Sequence, residues 1–230
     1  MAAASYLMAA AVAVVSGLDR TAFLQVMISR PIVAAPLTGW LLGDAPAGLL
    51  VGSMVELLWL GRLPVGAAIP PDDTQVAIGS TVLAITMGSR LGLSGPAFVI
   101  LCTLVAMPLG KMGQLFERWA RDWNGRLLQK AQDALAEGRF RAAEQAHLWG
   151  IGHFALASLA TFATIVIVGS LLLSELGPIL LRSTTDAAPW LRVAFPIMGT
   201  AIILSSINVR RSLTLFAASF TSALLMLWLL

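Results

Sequence analysis

Cysteine occurs once in the 230 residues, at Cys102 inside an apolar run. An intrachain disulfide is therefore excluded, and buried packing is the role expected of the thiol. Histidine occurs twice, at His147 and His153, with no cysteine or acidic cluster beside either. That pair makes no credible metal site. No phosphate-binding glycine loop, nucleophile elbow, Cys-x-x-Cys pair or dinucleotide fingerprint is present. The chain thus offers no catalytic constellation, and no cofactor is expected. Charge is scarce too: 12% of residues are charged and 58% are hydrophobic, with a mean hydropathy of +0.84. A soluble domain of this length needs far less apolar content. The composition indicates a multi-pass membrane protein. The net charge of +3 does not signal nucleic-acid binding. Membrane proteins become basic because their cytoplasmic loops collect Lys and Arg.

What the sequence does contain is a series of unequal apolar runs. They are Ala2–Leu18, Pro31–Gly43, Ala47–Gly61, Val76–Gly88, Pro96–Gly110, Leu148–Leu173, Pro189–Ile207 and Ser212–Leu230. A full helical crossing takes about 20 residues. Leu148–Leu173 meets that, and the last two runs nearly do. Pro31–Gly43 is shorter and contains Pro31, Pro36 and Gly39. Such broken segments suggest re-entrant hairpins, which are tolerated where they are buried in protein or line a wet cavity. The expected fold is all-α, a polytopic membrane helical bundle. It would have about six full spans and one or two re-entrant hairpins, in a single integral membrane domain over 1–230. Ala2–Leu18 is read as a retained first helix, because no basic residue precedes it and Leu18-Asp19-Arg20 makes a poor cleavage site. Gly39–Gly43 and Gly48–Gly52 repeat a small-residue spacing that permits close helix packing.

Lys111–His147 differs in kind. It carries seven of the 15 basic residues and five of the 12 acids. Leu115, Phe116, Trp119, Trp123, Leu127, Leu128, Ala131 and Leu135 recur at spacings of three and four, one face of a helix. The excess of basic residues places this amphipathic segment in the cytoplasm. It either lies in the membrane interface or docks a partner, or it packs on its own subunit as a solvated helix.

The stretch Glu56–Ser80 concentrates the candidate site residues. Glu56 is an acid inside an apolar run, and a charge at membrane depth costs about 2.5 kcal/mol or more on insertion scales. It is expected to bind a ligand through its carboxylate, or else to pair with Arg62 or a helix N-terminus. Pro70-Pro71-Asp72-Asp73 is a stop followed by two acids. Asp72 or Asp73 is expected to cap the next helix while the other meets substrate. Thr74 and Gln75 add neutral donors and acceptors for hydroxyl recognition. Gly61, Gly66 and Pro71 are expected to form the structural turn between the two apolar arms. Asn208-Val209-Arg210-Arg211 separates the last two runs, and its basic pair points to the cytoplasm.

With these residues in place, the chain resembles the IIC subunit of the mannose/fructose/sorbose family of the bacterial sugar phosphotransferase system. Arg30–Ile85 carries the likeness: Arg30-Pro31, Gly39, Gly43-Asp44, Gly48, Glu56, Gly61, Gly66-Ala67-Ala68 and Pro71-Asp72. Pro64 departs from the mannose-type pattern, where a polar residue is expected. The resemblance implies a subunit of the bacterial inner membrane that binds and translocates sugar without itself transferring phosphate. It implies a IID-type membrane subunit as hetero-oligomeric partner and a cytoplasmic IIB protein carrying phospho-histidine. Carried over from the family, Glu56 and Asp72 become the best sugar-contact candidates; Asp73 and Gln75 join them as substrate-binding candidates from the reading of the residues alone. A membrane sensor or scaffold that keeps the fold without transport, and a stand-alone secondary transporter, are the other readings.

Overall fold

The computed structural model describes residues 2–61, 68–206 and 212–229. Among these residues all regular structure is helical. The helices are α1 Ala2–Thr21, α2 Pro31–Leu42, α3 Ala45–Trp59, α4 Asp73–Leu91, α5 Pro96–Leu109, α6 Met112–Ala136, α7 Phe140–Ser206 and α8 Ser212–Leu229. Gly66, Arg62, Pro64, Ala67, Asn208, Arg210 and Arg211 lie outside the described residues.

α2 and α3 form a hairpin whose signals are local. Pro31 opens α2 where its missing N–H is no loss. Gly43 closes α2 at φ +89°, a left-handed conformation that suits glycine. The Asp44 carboxylate then caps α3, accepting the Ala47 N–H at 2.9 Å. Glycines let the backbones meet along the seam. A Cβ on Gly48 would collide with the Ala35 carbonyl oxygen, and one on Gly52 would lie 2.6 Å from the Pro31 oxygen. α2 and α3 have 12 and 15 residues. At about 1.5 Å rise per residue, neither covers the roughly 30 Å of a hydrocarbon core. α4 and α5 form a second hairpin, joined through Gly92 and Gly95, both at positive φ. Val51, Val55, Val76, Leu83, Met87, Phe98, Ile100 and Ile165 interlock between the two hairpins and α7, and Cys102 is buried among them.

α1 runs antiparallel to α4: Arg20 meets Asp72, and the Ala13 carbonyl meets Gln75 one turn further along. The start of α4 and the end of α3 therefore share one end of the bundle with the end of α1. That end is called the cavity end below.

Helical hydrogen bonding is continuous over Phe140–Ser206, where the sequence suggested separate runs at Leu148–Leu173 and Pro189–Ile207. Its packing nonetheless requires α7 to fold back. Ile165 packs on Gly79 and Leu83 on Gly169, so this half ascends α4 away from the cavity end, and Gly177 reaches Leu91. Further on, Gly199 packs on Leu57 and Ile202 on Gly61, back at the cavity end. A straight helix would carry Gly199 about 33 Å beyond Gly177 in the wrong direction. Pro178, Pro189 and Pro196 lie inside the helix, and proline is the usual cause of sharp bends. The two apolar runs are thus two opposed arms joined without a helical gap.

α6 divides its faces between a small-residue seam and an exposed apolar stripe. The chain turns at Glu137–Arg139, and α6 packs against the first part of α7 as an antiparallel hairpin. Its inward stripe is Gly113, Glu117, Ala120, Asn124, Leu127, Ala131 and Ala134, which are buried or half-buried. Leu115, Trp119, Trp123, Leu128 and Leu135 are exposed. Small residues won the helix–helix seam because they allow closer approach, which leaves the bulky apolar face outside.

Two helices, Ala3–Thr21 and Phe140–Ser205, are long and apolar enough to cross a membrane, and α5 with α6 adds a third as a bent pair. α2, α3 and Leu213–Met226 are apolar but shorter.

Candidate functional site

A cavity of about 140 Å³ opens at the cavity end. Arg20, Ser29, Arg30, Glu56, Asp73 and Thr74 give it a polar wall, completed by Trp59, Pro70 and Pro71. Four elements supply these groups: the end of α1, the start of α2, the end of α3 and the start of α4.

Glu56 stands on the last turn of α3, facing the start of α2. Its Oε1 pairs with the Arg30 guanidinium and its Oε2 accepts the Ile32 N–H at 3.3 Å. Arg30 makes no side-chain cap of its own to α2. Glu56 thus supplies, from the partner helix, the negative charge that a helix N-terminus favours. Its side chain is 14% exposed. Arg62, the partner considered from sequence, lies outside the described residues.

Asp72 and Asp73 divide the work between them. The Asp72 carboxylate caps α4, accepting the Gln75 N–H at 3.0 Å, and pairs with Arg20 at 2.9 Å. It lies behind the cavity wall, in contact with Gly113 at the start of α6. Asp73 lines the cavity and accepts the Thr74 N–H at 3.0 Å. The Thr74 hydroxyl donates to the Ser29 carbonyl at 2.7 Å and ties α4 to the segment before α2. Gln75 points elsewhere: it is fully buried, and its amide donates to the Ala13 carbonyl at 2.8 Å. Pro71 lines the cavity, while Gly61 packs against Ile202.

The structure therefore brings Glu56, Asp73 and Pro71 to one cavity and places Asp72 and Gln75 in the framework around it. It adds Arg20, Ser29 and Arg30, which sequence reasoning did not nominate as ligand groups. Arg20 had a signal, being a charge at the end of an apolar helix. Ser29 had none, because its role comes from contacts with Thr74, 45 residues away. Two carboxylates, two guanidinium groups and hydroxyls gather acceptors and donors of the kind that a neutral, hydroxyl-rich ligand would engage. Its hydroxyls would donate to the acids and accept from the bases. Among the described residues, no cluster of His, Cys, Asp and Glu is arranged to hold a metal ion.

A family model described as the PTS system sorbose-specific IIC component matches residues 3–229. The chain belongs to that family. It is 31% identical to the sorbose-specific EIIC component of Klebsiella pneumoniae over 123 residues, 54% of this chain and 43% of that protein. It is 25% identical to the mannose-specific EIIC component of Escherichia coli K12 over 197 residues, 84% of this chain and 70% of that protein. The fructose permease IIC component of Bacillus subtilis is 32% identical over 119 residues, 52% of this chain and 41% of that protein. The chain thus spans less than half the length of the sorbose and fructose relatives. The fold also matches a solved complex of the mannose transporter ManYZ with microcin E492. That match has a TM-score of 0.58 and 20% identity, over 97% of this chain and 87% of that one. Another solved membrane protein reaches a TM-score of 0.71 at 21% identity, over 95% and 85%. Membership of this family and the apolar helices make the chain a membrane protein.

Proposed function

We propose that this chain binds a sugar in the Glu56 cavity and carries it across the bacterial inner membrane for phosphotransferase-coupled uptake. Family membership over residues 3–229 carries the reading. The cavity supports it: Glu56 and Asp73 accept sugar hydroxyls, while Arg20 and Arg30 donate to them. Asp72 and Gln75, named from sequence as contacts, act here by holding the start of α4 in place. The chain works as a translocation subunit, without phosphoryl chemistry of its own. A IID-type membrane subunit pairs with it, and a phospho-histidine IIB protein meets the arriving sugar on the cytoplasmic side. The basic α6–α7 hairpin lies at the cavity end, which supports a cytoplasmic placement of that end. The full crossings are then α1, the two arms of α7 and α8, with α2–α3 and α4–α5 as re-entrant hairpins. That is fewer crossings than the apolar runs suggested, because four of those runs pair into hairpins that return to the cavity end.

The test is uptake of radiolabelled sorbose, mannose and fructose by cells lacking their own carriers. These cells express the chain together with a IID-type and a IIB-type protein of the same family. Saturable uptake that requires all three proteins is expected. A properly inserted, co-purifying assembly that takes up none of these sugars would favour the sensor or scaffold reading instead.

A further inference from the structure

Asp19 lies outside the cavity wall, yet it organises the wall. After α1 the chain runs through residues 22–30 without a helix. Leu24, Gln25 and Met27 there take φ of +64°, +54° and +69°. Residues with a side chain occupy this left-handed region only where their surroundings fix them. The segment's backbone is held on either side of Met27 by Asp19, a residue 3% exposed. Its Oδ1 accepts the Val26 N–H at 2.7 Å and its Oδ2 accepts the Ser29 N–H at 2.9 Å. Bonds of this kind to an ionised carboxylate are among the stronger ones in proteins. The segment so strapped delivers Ser29, whose carbonyl accepts the Thr74 hydroxyl, and Arg30, whose guanidinium pairs with Glu56. The neighbouring Arg20 holds the opposite rim, pairing with Asp72 and reaching the Pro70 carbonyl at 3.5 Å. Asp19-Arg20 thus ties both rims of the cavity to one helix end.

We propose that Asp19 is a positioning residue for the cavity, strapping residues 26–29 so that Ser29 and Arg30 stand in register with Thr74 and Glu56. This inference rests on the sugar-binding reading of the cavity. It separates from a purely structural role because it links Asp19 to ligand affinity rather than to protein yield.

Asp19→Asn keeps the shape and one acceptor oxygen, and Asp19→Ala removes both. Uptake of the three labelled sugars is measured per molecule inserted in the membrane, with the partner proteins present. Asp19→Asn is expected to raise the apparent KM about tenfold with the maximal rate within about twofold, and Asp19→Ala to raise it further. An unchanged KM, with loss confined to the amount inserted or to the maximal rate, overturns the proposal. A sugar-free arm uses Ile28→Cys in a Cys102→Ala background and a small maleimide. Ile28 is half-buried in the strapped segment. Asp19→Asn is expected to raise its labelling rate about fivefold or more, as local opening exposes it. Equal rates with and without Asp19→Asn overturn the strap. If the wild-type chain takes up none of the sugars, the transport reading fails, and the labelling arm alone decides the role of Asp19.

Discussion

Glu56 holds two partners from α2, so its removal strips both an ion pair and a helix cap. Glu56→Gln keeps the shape but leaves the Arg30 guanidinium without its counter-charge. A hydrogen bond to a charged group contributes about 1.5–3 kcal/mol, so apparent sugar affinity is expected to fall about tenfold or more with normal insertion. Uptake titrations check this, and a wild-type KM would contradict it. Asp72 and Asp73 are expected to fail in different ways. Asp72→Asn preserves the cap, since Asn caps as well as Asp, but it removes the anion facing Arg20. Those two side chains are only 10% and 12% exposed. Breaking such a pair is expected to destabilise the protein by about 3 kcal/mol. Arg20→Met combined with Asp72→Asn should recover part of that loss in thermal unfolding in detergent. Asp73→Asn keeps its bond to the Thr74 N–H and should instead lower uptake, with stability close to wild type. At this scale the sequence exposes an acid by its apolar neighbours, which is why Glu56 stood out. It hides the partner, because Arg30 is 26 positions away and only folding of α2 onto α3 brings them together.

The hairpins show how much of an element is written locally. Pro31, Gly43, Asp72 and Pro96 each mark a helix start or stop that reads directly from the chain, whereas α4 runs past the expected Gly88 to close at Gly92. The shortness of Pro31–Gly43 announced a segment unable to cross by itself. What did not read locally was the face of α6. Its Trp and Leu spacing showed one apolar face, but not that the seam with α7 would run along Gly113, Ala120 and Ala134. Glycine at a seam and glycine in the open should respond oppositely to alanine. Gly48→Ala sets a Cβ against the Ala35 carbonyl and is expected to destabilise the protein by about 1–3 kcal/mol. Gly125→Ala on α6 meets nothing within 4 Å, so it should add up to about 1 kcal/mol through helix propensity. Thermal unfolding of the two variants beside wild type makes the comparison.

For the whole molecule, the decisive feature is the reversal of α7, which the sequence marked as an interruption between the apolar runs Leu148–Leu173 and Pro189–Ile207. Ala163 and Thr200 lie on the two arms and would be about 55 Å apart on a straight helix. Folded back, they face the same third of the bundle, and spin labels at these positions are expected within about 30 Å of each other. A distance near 55 Å would contradict the reversal. Sidedness has its own test. A cysteine at Gln132, in a Cys102→Ala background, should react with an impermeant reagent only when the cytoplasmic face is open. Labelling from outside intact cells would invert the whole arrangement, and with it the side from which a phosphate donor approaches.

The first arm of α7 has a mechanical consequence. From Phe140 at the hairpin tip to Ser158 against Gly17 it is helical throughout. Three residues further, Thr161 shares with Asp72 the close packing around Gly113. Such a rod has the geometry of a lever whose long arm, about 27 Å, runs along α6 and whose short arm ends behind the cavity. A tilt of about 5° about Ser158 would swing the tip by about 2 Å but move Thr161 by less than about 0.5 Å. Any displacement of the hairpin tip would thereby be geared down to a smaller one at the start of α4.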